Sequence, residues 1–96
     1  MTGPGPDLGP AGVPRRRTGT RARRFRGRLV VANATVGYEL DEVGEQVFLL
    51  VDGERSVRDI AATVAAAYGE DPATVEADVV DLLAGLAGEC LIELVP

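Results

Sequence analysis

Apolar positions along the chain change period near residue 41. Leu29-Val30-Val31-Ala32 is a short apolar run, and Thr35-Val36-Gly37-Tyr38-Glu39-Leu40 alternates, with Val36, Tyr38 and Leu40 on one side. Period-two alternation marks a half-buried strand. These segments predict two strands around a turn at Asn33-Ala34, with Arg23 to Gly27 as a candidate third. The spacing then becomes helical. Val43, Val47, Leu50 and Val51 recur on one helix face, widened by Phe48. Val57, Ile60, Ala61, Val64 and Tyr68 form a second stripe, and Val75, Val79, Leu82, Leu83 and Leu86 a third. Helices are expected near 42–52, 57–68 and 72–87, and Leu91 to Val95 is an apolar tail that can form a strand.

The boundary residues agree with this division. Asp41, Ser56 and Asp71 stand where an N-cap oxygen is needed, because the first backbone N–H groups of a helix have no partner of their own. Asp59, three residues after Ser56, gives a near capping box, and Pro72 suits the first helical position. Gly53, Gly69 and Gly88 provide stops. Strands followed by closely spaced helices make an α+β domain, since a hairpin is marginal in water unless its apolar face is covered.

The N-terminal part differs. Residues 1–14 hold four of the six prolines and four glycines, and an arginine-rich stretch follows. This predicts a disordered tail over residues 1–22 and a folded domain over 23–96. Residues 1–28 carry a net charge of +7 and residues 29–96 carry −12, which combine to −5. A basic arm on an acidic body reads as a solubilising tail or as an electrostatic arm for an acidic partner or nucleic acid. No lysine occurs. The first residues lack the apolar stretch of a secretory signal, and no run of residues is long and apolar enough for a membrane span. A cytoplasmic location without a membrane partner is expected.

The inventory for chemistry is short. There is no histidine, and Cys90 is the single cysteine. That excludes an internal disulfide, histidine general acid–base catalysis and a zinc site built on His or paired Cys. No nucleophile–base pair, phosphate loop or metal cluster is visible. Asp52-Gly53-Glu54 is read as a helix end, not a calcium turn. Cys90, beside Leu91 and Ile92, is read as a small buried residue. The chain is therefore expected to be no enzyme, with no catalytic residue, no metal and no cofactor. Ser56 lacks the preceding aspartate of a carrier-protein attachment site. A winged helix-turn-helix DNA-binding protein shares the same parts and is the alternative. Its recognition helix here would bear Glu76, Asp78 and Asp81 without a cation, which phosphate would repel, so a nucleic-acid partner is disfavoured.

The segment from Tyr38 to Gly53, a strand ending in Leu40-Asp41 that runs into a helix ending in Asp52-Gly53, resembles the signature of the PqqD-like proteins. Arg55-Ser56-Val57-Arg58-Asp59-Ile60 resembles their second-helix start. Tyr68 to Asp71 and Ala77 to Leu83 resemble their next loop and third helix. The resemblance covers about residues 25–95. It departs at the first strand, at Glu89-Cys90-Leu91 and in the arginine arm. It implies a winged-helix-like fold, with an N-terminal three-stranded antiparallel sheet followed by a three-helix bundle. The implied function is a recognition element for ribosomally made, post-translationally modified peptides (RiPPs). Such an element binds a precursor's leader by strand addition and presents it to a modifying enzyme, a radical-SAM enzyme or a peptidase or cyclase. The implied peptide-binding residues are Thr35, Val36, Gly37, Tyr38, Glu39 and Leu40 on the strand edge. Val75, Asp78, Val79 and Leu82 would face them from the third helix.

Overall fold

The computed structural model describes residues 8–96. Five strands and three helices follow in the order β1 (Pro14–Arg16), β2 (Arg21–Phe25), β3 (Arg28–Ala32), β4 (Gly37–Leu40), α1 (Glu42–Leu49), α2 (Val57–Tyr68), α3 (Pro72–Gly88) and β5 (Ile92–Leu94). Strands β2, β3 and β4 form an antiparallel sheet in that order, with Val31 opposite Tyr38 and Leu29 opposite Leu40. The other pair, β1 and β5, forms a separate antiparallel ribbon.

The apolar stripes meet as their periods require. Leu29, Val31 and Leu40 from the sheet join Val47 and Phe48 of α1, Ile60 and Val64 of α2, and Val79, Leu83 and Leu86 of α3 in one buried cluster. No polar or charged side chain is buried among the described residues, so the core rests on apolar burial and close packing. The expected caps form. Asp41 Oδ1 accepts from Gly44 N at 2.7 Å. Ser56 and Asp59 exchange reciprocal bonds, each of 3.1 Å. Asp71 caps α3 with Pro72 in its first turn, and Gly69 closes α2 in the left-handed region.

Several expectations need correction. Residues 8–22 are not a disordered tail, and residues 1–7 lie outside the described residues. Pro14 is fully buried, and Leu8 packs against the core. The carbonyls of Pro10, Gly12 and Pro14 accept bonds from Arg58, Val57 and Gly53. These contacts join residues far apart in sequence, so no local pattern announces them. The chain from Thr35 to Val36 belongs to the β3–β4 turn, not to β4. Asn33 Oδ1 accepts from the backbone of Thr35 (2.8 Å) and Val36 (2.9 Å), drawing the chain into a tight loop. The first helix ends at Leu49, short of residue 52.

Helix α3 runs to Gly88, but the left-handed residue that closes it is Cys90, not Gly88. Cys90 takes φ +61°. Leu91 N bonds Leu86 O, and Cys90 N bonds Ala87 O, the two closing bonds of a Schellman motif. The cysteine is consequently exposed rather than buried.

Candidate functional site

An antiparallel sheet of three strands leaves two free edges, and they differ in character. Edge β2 carries Arg21, Arg23 and Arg24, charges that discourage another strand from pairing there. Edge β4 is Gly37-Tyr38-Glu39-Leu40. It pairs only with β3 among the described residues. Its open side offers backbone donors and acceptors to an incoming strand.

Beside β4 lies a groove of about 460 Å³ between that strand, α1 and α3. Tyr38 and Leu40 come from β4, Val43 and Val47 from α1, and Val75, Val79 and Leu82 from α3. Val43 is 42% exposed, so the groove presents apolar surface with no covering element among the described residues. Leu40 hands over to Asp41, whose cap on Gly44 sets the angle at which α1 leaves the strand. Tyr38 reaches across to α3. A Cβ added at Gly85 would stand 2.9 Å from its hydroxyl. The absence of a side chain at Gly85 leaves room for the hydroxyl, and any Cβ there would require the ring to shift.

The charge lining the groove is negative. Glu39, Asp41 and Asp78 line it, with no cation among the lining residues. Arg28 approaches Glu39 only at 3.8 Å, with both side chains well exposed. The groove therefore combines an apolar floor, a free strand edge and an acidic rim.

Of the expected site residues, Tyr38, Glu39, Leu40, Val75, Asp78, Val79 and Leu82 converge on this groove. Gly37 lies on the β4 edge but does not line it, and Thr35 and Val36 sit in the preceding turn. Val79 is fully buried and Val75 nearly so, so they form the floor more than the contact surface. The contribution of α1 through Asp41, Val43, Gly44 and Val47 is additional. No sequence signal marks it, since Val43 by its spacing belongs to the core stripe and only the fold leaves it uncovered. No group of three or more metal-ligating side chains occurs among the described residues. The Asp52 carboxylate is occupied by the backbone of Glu54 and Arg55 and by the Arg55 guanidinium at 2.6 Å. Those backbone bonds, first that from Arg55, hold its pKa below the usual carboxylate value.

Three arginines of the N-terminal region are built into the fold. Arg16 lies over the Phe48 ring at 4.2 Å, Arg15 pairs with Glu93 at 2.7 Å, and Arg24 holds Glu45 through two bonds of 3.0 and 2.6 Å. The last pair lowers the Glu45 pKa, chiefly through the hydrogen bond.

Comparison with known proteins places this architecture. The family profile described as coenzyme PQQ synthesis protein D (PqqD) matches residues 28–92. A PqqA binding protein of Xanthomonas oryzae is 38% identical over 85 residues, covering 86% of this chain and 92% of that protein. The bifunctional coenzyme PQQ synthesis protein C/D of Methylorubrum extorquens is 37% identical over 83 residues, covering 84% of this chain. This chain spans only 22% of that bifunctional protein's length.

Among solved structures, the PqqD part of Methylobacterium extorquens PqqCD superposes with a TM-score of 0.79 at 35% identity. The match covers 91% of this chain and 95% of that one, which is described as a functional, stand-alone RiPP recognition element. TbiB1, solved in complex with the TbiA(beta) leader peptide, superposes with a TM-score of 0.72 at 25% identity, covering 82% and 94% of the two chains. The sheet followed by three helices, the matched span and these relatives lead to one assignment: the chain belongs to the PqqD family.

Proposed function

We propose that this protein binds the leader segment of a ribosomally made precursor peptide and presents it to a modifying enzyme, without performing chemistry itself. The observation that carries this reading is the free β4 edge lying along an uncovered apolar groove. A strand added to that edge satisfies main-chain groups on both partners, while alternate side chains enter the groove. Tyr38, Leu40, Val43 and Leu82 receive the apolar side chains of the peptide. Glu39, Asp41 and Asp78 favour a leader with Lys or Arg at positions facing the rim, which adds steering and selectivity more than affinity.

Relatives that bear the names PqqA binding protein and RiPP recognition element, and one solved with a leader peptide, support the reading. The joining of C and D parts in one bifunctional PQQ synthesis protein supports a partner enzyme. For this chain that partner is a radical-SAM enzyme or a peptidase or cyclase, and the encounter takes place in the cytoplasm.

The test is an NMR titration with a synthetic leader of a precursor peptide, chosen from any short reading frame found beside this protein's gene. Amides of residues 37–40 and of the first half of α3 should shift together, with a dissociation constant near micromolar, about −8 kcal/mol. The same leader with alternate backbone amides N-methylated on the pairing side should lose binding, because strand addition depends on those groups. Equal affinity of the methylated leader, or shifts confined to residues 15–28, would refute the proposal.

A further inference from the structure

The outward face of the β2–β3 hairpin carries a second cluster that the groove does not use. Sheet register puts Arg21, Arg23 and Phe25 on that face, together with Arg28 and Val30 of β3. Arg26 sits at the hairpin tip. Arg21, Arg23 and Arg26 have no ion-pair partner among the described residues, unlike Arg15, Arg24 and Arg55. Arg21 and Arg23 stand roughly 7 Å apart, two residues along one strand. Phe25 is 60% exposed at their end, with the Arg26 guanidinium 5.3 Å from its ring centre.

Protection of a free sheet edge accounts for charge on β2. It does not account for the other two features. An edge needs no exposed phenylalanine. Phe25 pairs with Arg28, so the turn has two residues, Arg26 and Gly27, at φ +53° and +80°. Positive φ at both positions is the type I′ geometry, which Asn-Gly fills with little strain. An arginine there is held in a region that non-glycine residues rarely occupy. Strain of this kind, an exposed aromatic and a row of unpaired guanidinium groups coincide at one place.

We propose that this hairpin face docks a partner protein whose surface presents carboxylates around an apolar recess: Arg21, Arg23 and Arg26 pair with the acids, and Phe25 fills the recess. Arginine and aromatic residues are the types enriched at the centres of protein interfaces. Duplex DNA fits less well. Affinity for it rises with the number of phosphates neutralised, this face offers only a few free guanidinium groups, and a phosphate backbone has no use for Phe25. The face lies on the side of the sheet away from Tyr38 and Leu40, and it shares with the groove the strand-edge residue Glu39, which stands opposite Val30 and approaches Arg28 at 3.8 Å. The proposal does not depend on what fills the groove.

A synthetic peptide with a Leu-Leu pair between runs of Glu is a suitable probe, since the acidic groove rim repels it. Backbone and arginine side-chain NMR signals of the full chain should move within residues 21–32 and not in α3. Phe25→Ser should weaken binding about fivefold at unchanged charge. A triple Arg21→Glu, Arg23→Glu, Arg26→Glu variant should weaken it about tenfold or more, in keeping with three modest surface pairs. Replacing the peptide's Glu by Gln should do the same to the native protein, independently of any folding defect.

Four results would overturn the proposal. They are no shift with the acidic peptide, affinity unchanged by Phe25→Ser, tighter binding of a short duplex DNA at equal salt, or a salt-sensitive dimer of this chain mapping to the same face.

Discussion

Replacing Gly85 by alanine tests the contact that holds Tyr38 over the groove. Two effects oppose each other. Glycine in a helix interior is roughly 0.8–1.0 kcal/mol less favourable than alanine, so the substitution gains about that much from the backbone. The new Cβ would lie 2.9 Å from the Tyr38 hydroxyl and 3.8 Å from its Cζ. The first distance is too short and the second is ordinary contact, so the strain comes from one oxygen atom. The ring must swing away from α3, and the helix gain is largely cancelled. Removing that oxygen restores it. The Tyr38 hydroxyl makes no hydrogen bond to a described residue, so Tyr38→Phe alone should cost little. Gly85→Ala in the Tyr38→Phe background should then gain about 1 kcal/mol, which raises the melting temperature roughly 4–8 °C in a domain of this size. In the native background the change should stay near zero. Thermal and urea unfolding followed by circular dichroism measure all four corners of the cycle, with an expected coupling of about 1 kcal/mol. An equal gain in both backgrounds would show that Gly85 does not position Tyr38. Leader affinity should fall in Gly85→Ala alone, because the displaced ring enters the groove.

Cys90→Gly should stabilise the protein by up to about 1 kcal/mol in urea melts, because it relieves a left-handed backbone at a non-glycine residue, less the entropy glycine adds to the unfolded chain. Deleting residues 1–16 should lower stability by on the order of 3 kcal/mol. It removes the β1–β5 ladder and the carbonyls that hold Gly53, Val57 and Arg58, each net bond contributing about 1 kcal/mol; an unchanged melting temperature would contradict the built-in role of that segment. Asp78→Lys should weaken a cationic leader and flatten its salt dependence, whereas salt-insensitive binding by the native protein would remove the rim from the recognition. Glu45 and Asp52 have depressed pKa values in the folded state, so their stabilisation is complete above the usual carboxylate range and is lost as pH falls through the folded values. Melts in mild acid should therefore show a shallower loss for Glu45→Gln and Asp52→Asn than for the native chain.

Much of this architecture was legible from local pattern. Alternation at Tyr38 and Leu40, the three helical stripes and the caps at Asp41, Ser56 and Asp71 are short-range properties. A strand or helix with one apolar face has few ways to satisfy its backbone and bury that face. The order of motifs from Tyr38 to Leu83 was enough to indicate the family, and with it the expectation that a peptide would meet the strand edge and third helix. Three things depended on tertiary contacts. Residues 10–16 look like a proline-, glycine- and arginine-rich tail, and they are ordered by partners some forty to eighty residues away, at Gly53, Val57, Arg58 and Ile92 to Leu94. Val43 reads as core by its spacing, yet the fold leaves it uncovered as part of the groove wall, because α1 packs its other side against α2 and α3. Cys90, not the nearby Gly88, took the left-handed position. The closing bonds to Leu86 and Ala87 set where the helix ends, and burial of Leu91 and Ile92 held the chain to that geometry against the preference of its residue.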